Sequence, residues 1–303
     1  MILKGQNLRL LLFDATSEKF KCVAMATTST VNLNTNTSDI NTKDDVDLAS
    51  RPKVMSKSWQ GTVDSIDVSD MGAMLTAIKN MQPFTVLFDE TSTTNNQQPL
   101  QASFARTGLA YLSDATFTFN DRTISTKSLQ FSGTGELSTV TSTPTYQVVS
   151  GASYTMGQNV RLLIGPDSRT NPDRVVGYAK QLSLHISVQL EDATTKETTG
   201  DWIVQTPTGI SYDITSQALV RGADVITSSV QARGLSELET IYNIADPVTW
   251  TIANMTGDNN RTIDSTIISG VAIIQSLSIN NPNRADSTFT ANLSGYGVYA
   301  VAA

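Results

Sequence analysis

Residues 5–13 read GQNLRLLLF, and about half the chain later residues 157–165 read GQNVRLLIG. A recurrence at that spacing constrains the fold more than any composition figure, because it is an accident, a small repeated unit or the edge of a duplicated domain. Gly5 to Leu11 match Gly157 to Leu163 at an offset of 152, and VAMA (23–26) meets VGYA (176–179) at 153. At 153 again, NTKD (41–44) faces TTKE (194–197) and SW (58–59) faces SY (211–212). NMQPFTV (80–86) meets IADPVTW (244–250) at 164, while TGLAYL (107–112) and SGTG (132–135) face SGVAII (269–274) and SGYG (294–297) at 162. The matches are collinear, and a few small insertions account for every change of offset. The reading is a tandem duplication with domains at 1–145 and 146–303. A length of 303 residues suits two domains, each able to bury about 68–70% of its extended-chain surface.

Each half repeats one order of elements. In QLSLHISVQL (181–190), Leu182, Leu184, Ile186, Val188 and Leu190 alternate with polar residues, the period of a half-buried strand; STVNLNTNTS in the first half alternates more weakly. Strands rich in Thr, Val, Ile and aromatics close each half. One helix interrupts each set. Met71, Met74, Leu75, Ile78 and Met81 share a face, with Ser69 as the expected N-cap and Pro83 beyond the end. Its partner is expected to start at Ser236 with Glu239 at capping-box spacing. The Met stripe reads as core packing. Long polar stretches at 34–57 and 189–210 read as loops, and loops of that length in a compact domain are functional or disordered. The fold class is mainly β: two tandem β-sandwich or barrel domains, each with one flanking α-helix and a long loop.

Chemistry is sparse. His185 is the single histidine, on the polar side of a strand where the other copy has Asn32, so nucleophile-base pairs lack their usual base. No G-x-S-x-G, H-E-x-x-H or G-x-x-x-x-G-K-[ST] occurs. The glycine pairs Gly133/Gly135 and Gly295/Gly297 follow strands and open no helix, so they read as strand-end turns or bulges. Asp44, Asp45 and Asp47 lack the spacing of a calcium loop. Cys22 is the single cysteine, so no intrachain disulfide forms. We therefore expect no catalytic residue, no cofactor and no metal. Net charge is −7, −2 in residues 1–150 and −5 in 151–303, with no cluster of basic residues; such a surface repels nucleic acid. No run of about 18 apolar residues suggests a membrane span, and Arg9 interrupts the apolar start, so no signal peptide is expected and the chain is placed in a cytoplasm.

The ordered features resemble the major tail (tube) proteins of long-tailed bacteriophages. The passage YAKQLSLHISVQLEDATTKETTGDW…GISYDITSQAL carries the resemblance in the second half, through Lys196, Trp202, Ser211 and Tyr212; Thr42, Lys43, Asp44, Ser58 and Trp59 carry it in the first. The resemblance implies a virion protein, assembled in the cytoplasm of a host bacterium, whose sheets join side by side into rings that stack into a hollow tail tube. It implies as partners the chain itself, other tail proteins and genomic DNA passing the lumen without specific binding. It also implies that the long loops reach the neighbouring ring, through Asn41, Thr42, Lys43, Asp44 and Asp45 in one copy and Thr194, Thr195, Lys196 and Glu197 in the other. Rings of the family contain six domains, so two domains per chain favour a trimer with pseudo-sixfold symmetry over six chains with one domain outside the wall. Alternatives left open are the inner tube of a contractile machine and a tandem β-sandwich binding or adhesin module.

Overall fold

Alternation decides most of the architecture. The computed structural model describes residues 8–14, 17–40, 51–68, 70–92, 97–149, 154–165, 174–198, 200–220, 234–256 and 262–302. In the first half, β1 (Leu8–Asp14), β2 (Lys19–Cys22), β3 (Ala26–Asp39) and β4 (Pro52–Ser65) precede α1 (Met71–Lys79). Then follow β5 (Phe84–Glu90), β6 (Arg106–Asn120), β7 (Thr126–Thr139) and β8 (Tyr146–Gln147). In the second, β9 (Val160–Ile164), β10 (Arg174–Val175), β11 (Ala179–Asp192) and β12 (Gln205–Leu219) precede α2 (Leu235–Ile244). β13 (Val248–Thr256), β14 (Thr262–Asn280), β15 (Thr288–Gly295) and β16 (Ala300–Val301) complete it. Leu182, Leu184, Ile186 and Val188 of β11 are buried, as their alternation demands.

All these strands belong to one hydrogen-bonded sheet, and it is mainly β as expected. In the first half the order is β1-β5-β6-β7-β4-β3; in the second it is β9-β13-β14-β15-β12-β11. Position by position the second order is the first. The registers agree too: Asn32 pairs Gln60 as His185 pairs Asp213, and Gln60 pairs Ser132 as Asp213 pairs Ser294. Phe84 pairs Ala110 as Val248 pairs Ala272, and Ala110 pairs Gly133 as Ala272 pairs Gly295. Three of the irregularities coincide as well. Register shifts at Ala26/Thr28 and Asn36/Thr37 have partners at Ala179/Gln181 and Gln189/Leu190, and the shift at Leu112/Asp114 has one at Ile274/Ser276. A bulge re-aims a strand and raises its twist, so these shared bulges bend the corresponding strands of both halves at the same places. Each set of strands curls until its first and last members approach: Ser29 Oγ donates to the Leu8 carbonyl at 3.3 Å, and Arg161 Nη1 to the Ala179 carbonyl at 3.2 Å.

The two aromatic-on-glycine contacts explain the paired glycines. Trp59 and Tyr212 lie in the core at corresponding positions, 1% and 3% exposed. A Cβ on Gly133 would fall 2.1 Å from Trp59 Cε2, and one on Gly295 2.6 Å from Tyr212; only a missing side chain lets the rings lie there. Gly135 and Gly297 serve a different need, with φ of +76° and +80°, which L side chains resist. Met71, Met74, Leu75 and Ile78 are buried, so the Met stripe is core. Ser69 lies outside the described residues, and Asp70 stands at the N-cap with no side-chain bond to the helix. For α2 the expected start shifts: Gly234 is the N-cap in extended conformation and Ser236 sits within the first turn, its carbonyl accepting from Thr240 Oγ1. The glycine supplies the extended backbone, so the Ser-Glu pair is not needed as a capping box.

Both ends of the stretch expected as a loop at 34–57 are ladder. Pairing runs from Asn34–Ser58 out to Asp39–Pro52, and in the second half β11 runs to Asp192 and β12 starts at Gln205. This outer arm is exposed on both faces along β3, so it carries no apolar alternation to betray it as strand.

Candidate assembly surfaces

The halves join through strand edges. β5 occupies the edge of β6 only as far as Ala110; beyond it, β11 pairs antiparallel with the same edge from Asp114–Ser187 to Asn120–Gln181. Leu184 stands opposite Phe117 and Ile186 opposite Ala115, all fully buried. The seam is thus a main-chain ladder with a dry apolar face, the arrangement that lets one sheet add a strand from another. On its other face His185 Nε2 and Asp114 Oδ2 are 2.6 Å apart, each side chain more than a third exposed. A bond so hydrated contributes little beyond alignment.

Further contacts hold the halves together. Tyr299 Oη donates to the Leu75 carbonyl of α1 at 2.8 Å, and burial pushes the Tyr299 phenol well up. The segment after the second long loop lies across β4 and β7: Lys57 N donates to Asp201 O at 2.6 Å, Gly135 N to Ile203 O at 2.8 Å, and Ser132 Oγ to Gln205 Oε1 at 2.7 Å. Lys57 also faces the Trp202 ring at 5.9 Å. In the first half, Lys127 is fully buried and paired with Asp70 beside α1.

Thr194, Thr195, Lys196 and Glu197 form an exposed turn at the tip of the second loop. Thr194 N donates to Asp192 Oδ1 at 2.8 Å and Thr195 N to Thr198 Oγ1 at 3.0 Å; the Thr194 bonds hold the Asp192 carboxyl below its ordinary range. Asn41, Thr42, Lys43, Asp44 and Asp45, with Asp47, lie outside the described residues. Among the described residues no His, Cys, Asp and Glu side chains gather into a metal-sized cluster, and no helix is long and apolar enough to cross a membrane. The seam itself was missed from sequence: alternation marked β11 as half-buried without saying that one edge of it belongs to the other half.

No protein-family model and no curated protein matches the sequence. Among solved structures, the chain is similar to a chain from the tail of an empty gene transfer agent (GTA) particle with C6 symmetry, at 14% identity and a TM-score of 0.37. That match covers 47% of this chain and 96% of the other. It is also similar to a chain of the native GTA virion (14% identity, TM-score 0.36, 47% and 96% covered) and to the SPP1 tail tube (15%, 0.37, 47% and 76%).

Proposed function

We propose that this chain is the structural subunit of a phage-type tail tube. The observation that carries the reading is the β6–β11 seam: two sets of strands with one order and one set of registers already stand side by side, joined edge to edge. A unit that joins its like through a strand edge is the building block of a ring. The sequence resemblance set out above supplies the class of assembly. On this reading the halves expected at 1–145 and 146–303, with β8 at their junction pairing back onto β2, are duplicate tube domains, three chains close a ring with pseudo-sixfold symmetry, and rings stack into the tail of a virion built in the host bacterial cytoplasm. Partners are further copies of the chain and other tail proteins, and the chain is neither an enzyme nor membrane-bound. Genomic DNA passes through the lumen without specific binding, which a net charge of −7 favours because a wall poor in Lys and Arg lets phosphates slide. Thr194–Glu197, exposed at the loop tip, reach the adjacent ring together with Asn41–Asp45 of the first copy.

Electron microscopy of the purified chain tests the reading. Hollow stacked rings with six wall units are expected. A protein that stays monomeric at high concentration, or rings without a central channel, overturns it.

A further inference from the structure

The internal seam is a template for a seam between chains. β11 corresponds to β3 and β6 to β14, so the strand edges that meet inside the molecule recur elsewhere in it, unmated among the described residues. Among the described residues β3 pairs with β4 alone. β13 occupies the edge of β14 only as far as Ala272, and among the described residues 273–280 have no ladder partner on that side, as β5 leaves the end of β6 for β11. We infer that β14 of one chain pairs antiparallel with β3 of the next, in the register of β6 and β11. This rests on the tube reading and deepens it, naming the partner as a second copy and fixing which residues face each other.

Carrying the register over puts Val31 opposite Ile279, Leu33 opposite Leu277 and Asn32 opposite Ser278. The first two are the counterparts of Leu184–Phe117 and Ile186–Ala115, the buried apolar pairs of the internal seam. Their apolar character is kept although Leu33 is 64% and Ile279 47% exposed in the single chain. A strand edge left to solvent is ordinarily guarded by charge or proline, yet residues 26–38 and 265–281 contain no Lys, Arg, Asp, Glu or Pro. The helices tell the same story. α1 is covered by the second half, with Ile78 2% exposed, whereas the residue at the matching place in α2, Tyr242, is 44% exposed. Among the described residues the exposed outer face of α2, which packs on β14 through Leu238, and the unladdered edge of β14 belong to the same half, which is where the next chain arrives. Because the two surfaces differ, the contact is heterologous and propagates until it closes into a ring.

Paired cysteines test the register. Directly opposed residues lie about 4.5–5.5 Å apart in an antiparallel pair, within reach of a disulfide, whereas diagonal residues at about 7–8 Å are not. Val31→Cys with Ile279→Cys should, on mild oxidation of assembled protein, give covalent chain-to-chain products at least about tenfold above Val31→Cys with Leu277→Cys. Each single variant is a folding control by circular dichroism. Leu33→Asp, at an exposed position, should leave the monomer folded and abolish assembly. Rings that form while neither pair links, or while the offset pair links as well, overturn this seam and leave the tube reading standing. Failure of the unmodified chain to assemble overturns both.

Discussion

Gly133→Ala offers the most direct test of how the core is set. The added Cβ would lie 2.1–2.4 Å from three atoms of the Trp59 indole, distances no real contact shows, and the obstacle is a rigid ring with no flexible end to move. Overpacking of this kind costs about 1–3 kcal/mol. Trp59 must also shift, and its Nε1 then loses the 3.2 Å hydrogen bond to the Gly135 carbonyl, about 1 kcal/mol more for a buried donor. The expected destabilisation is therefore about 2–4 kcal/mol. Gly135→Ala is the control: nothing lies within 4 Å of its would-be Cβ and only the positive φ of +76° resists, so about 1–2 kcal/mol is expected. Guanidinium unfolding of the unassembled chain, followed by tryptophan fluorescence, measures both. If Gly133→Ala costs less than Gly135→Ala, the view that the first glycine exists to seat the ring is wrong.

Other expectations follow from single side chains. Asp70→Ala leaves the amine of fully buried Lys127 unpaired and should cost about 3 kcal/mol, most of it recovered when Lys127→Met is added; equal loss in the single and double variants would contradict this. Burial pushes the Cys22 thiol up to about 11 and raises Tyr212 and Tyr299 as well. The folded chain then holds protons that the unfolded chain releases, so unfolding titrations should show the contribution of these groups constant below about pH 8 and stability falling above about pH 9. His185→Asn installs the residue found at the matching place in β3; as its partner is solvated, thermal unfolding should register a change below about 1 kcal/mol.

Legibility in the sequence followed burial. The offsets read from short strings predicted which residues correspond, and the strand registers place those residues at like positions, because a two-residue period with one buried face fixes register strongly. The outer arm of β3 and β4 escaped notice because it buries neither face and so leaves Thr, Asn and Ser with no pattern. The α2 N-cap was misplaced by two residues, since Ser236 and Glu239 have capping-box spacing but the chain enters the helix at Gly234. The seam was the least legible feature. Main-chain edges pair through groups that every residue carries, so nothing in TSTVNLN announces an unmated strand; its recognition needed the mated copy, β11, beside it.

On the ring reading proposed above, the seam's modest size should make assembly all-or-none. The internal ladder spans seven residue pairs, and a patch of that length with two apolar pairs buries too little to hold two chains alone against an association cost of about 4–15 kcal/mol. A linear dimer has one such seam and a linear trimer two. Closing the third seam of a trimeric ring makes a contact without losing a further chain's translational freedom, because the ends already sit near each other. Sedimentation velocity across a dilution series should therefore show monomer and closed ring, with dimer at no more than roughly a tenth of the protein. Leu33→Asp, which weakens every seam at once, should remove the ring peak without producing a dimer peak. A stable dimer plateau would mean that one seam suffices, and the edge pairing drawn from β6 and β11 would then be too weak a description of the contact.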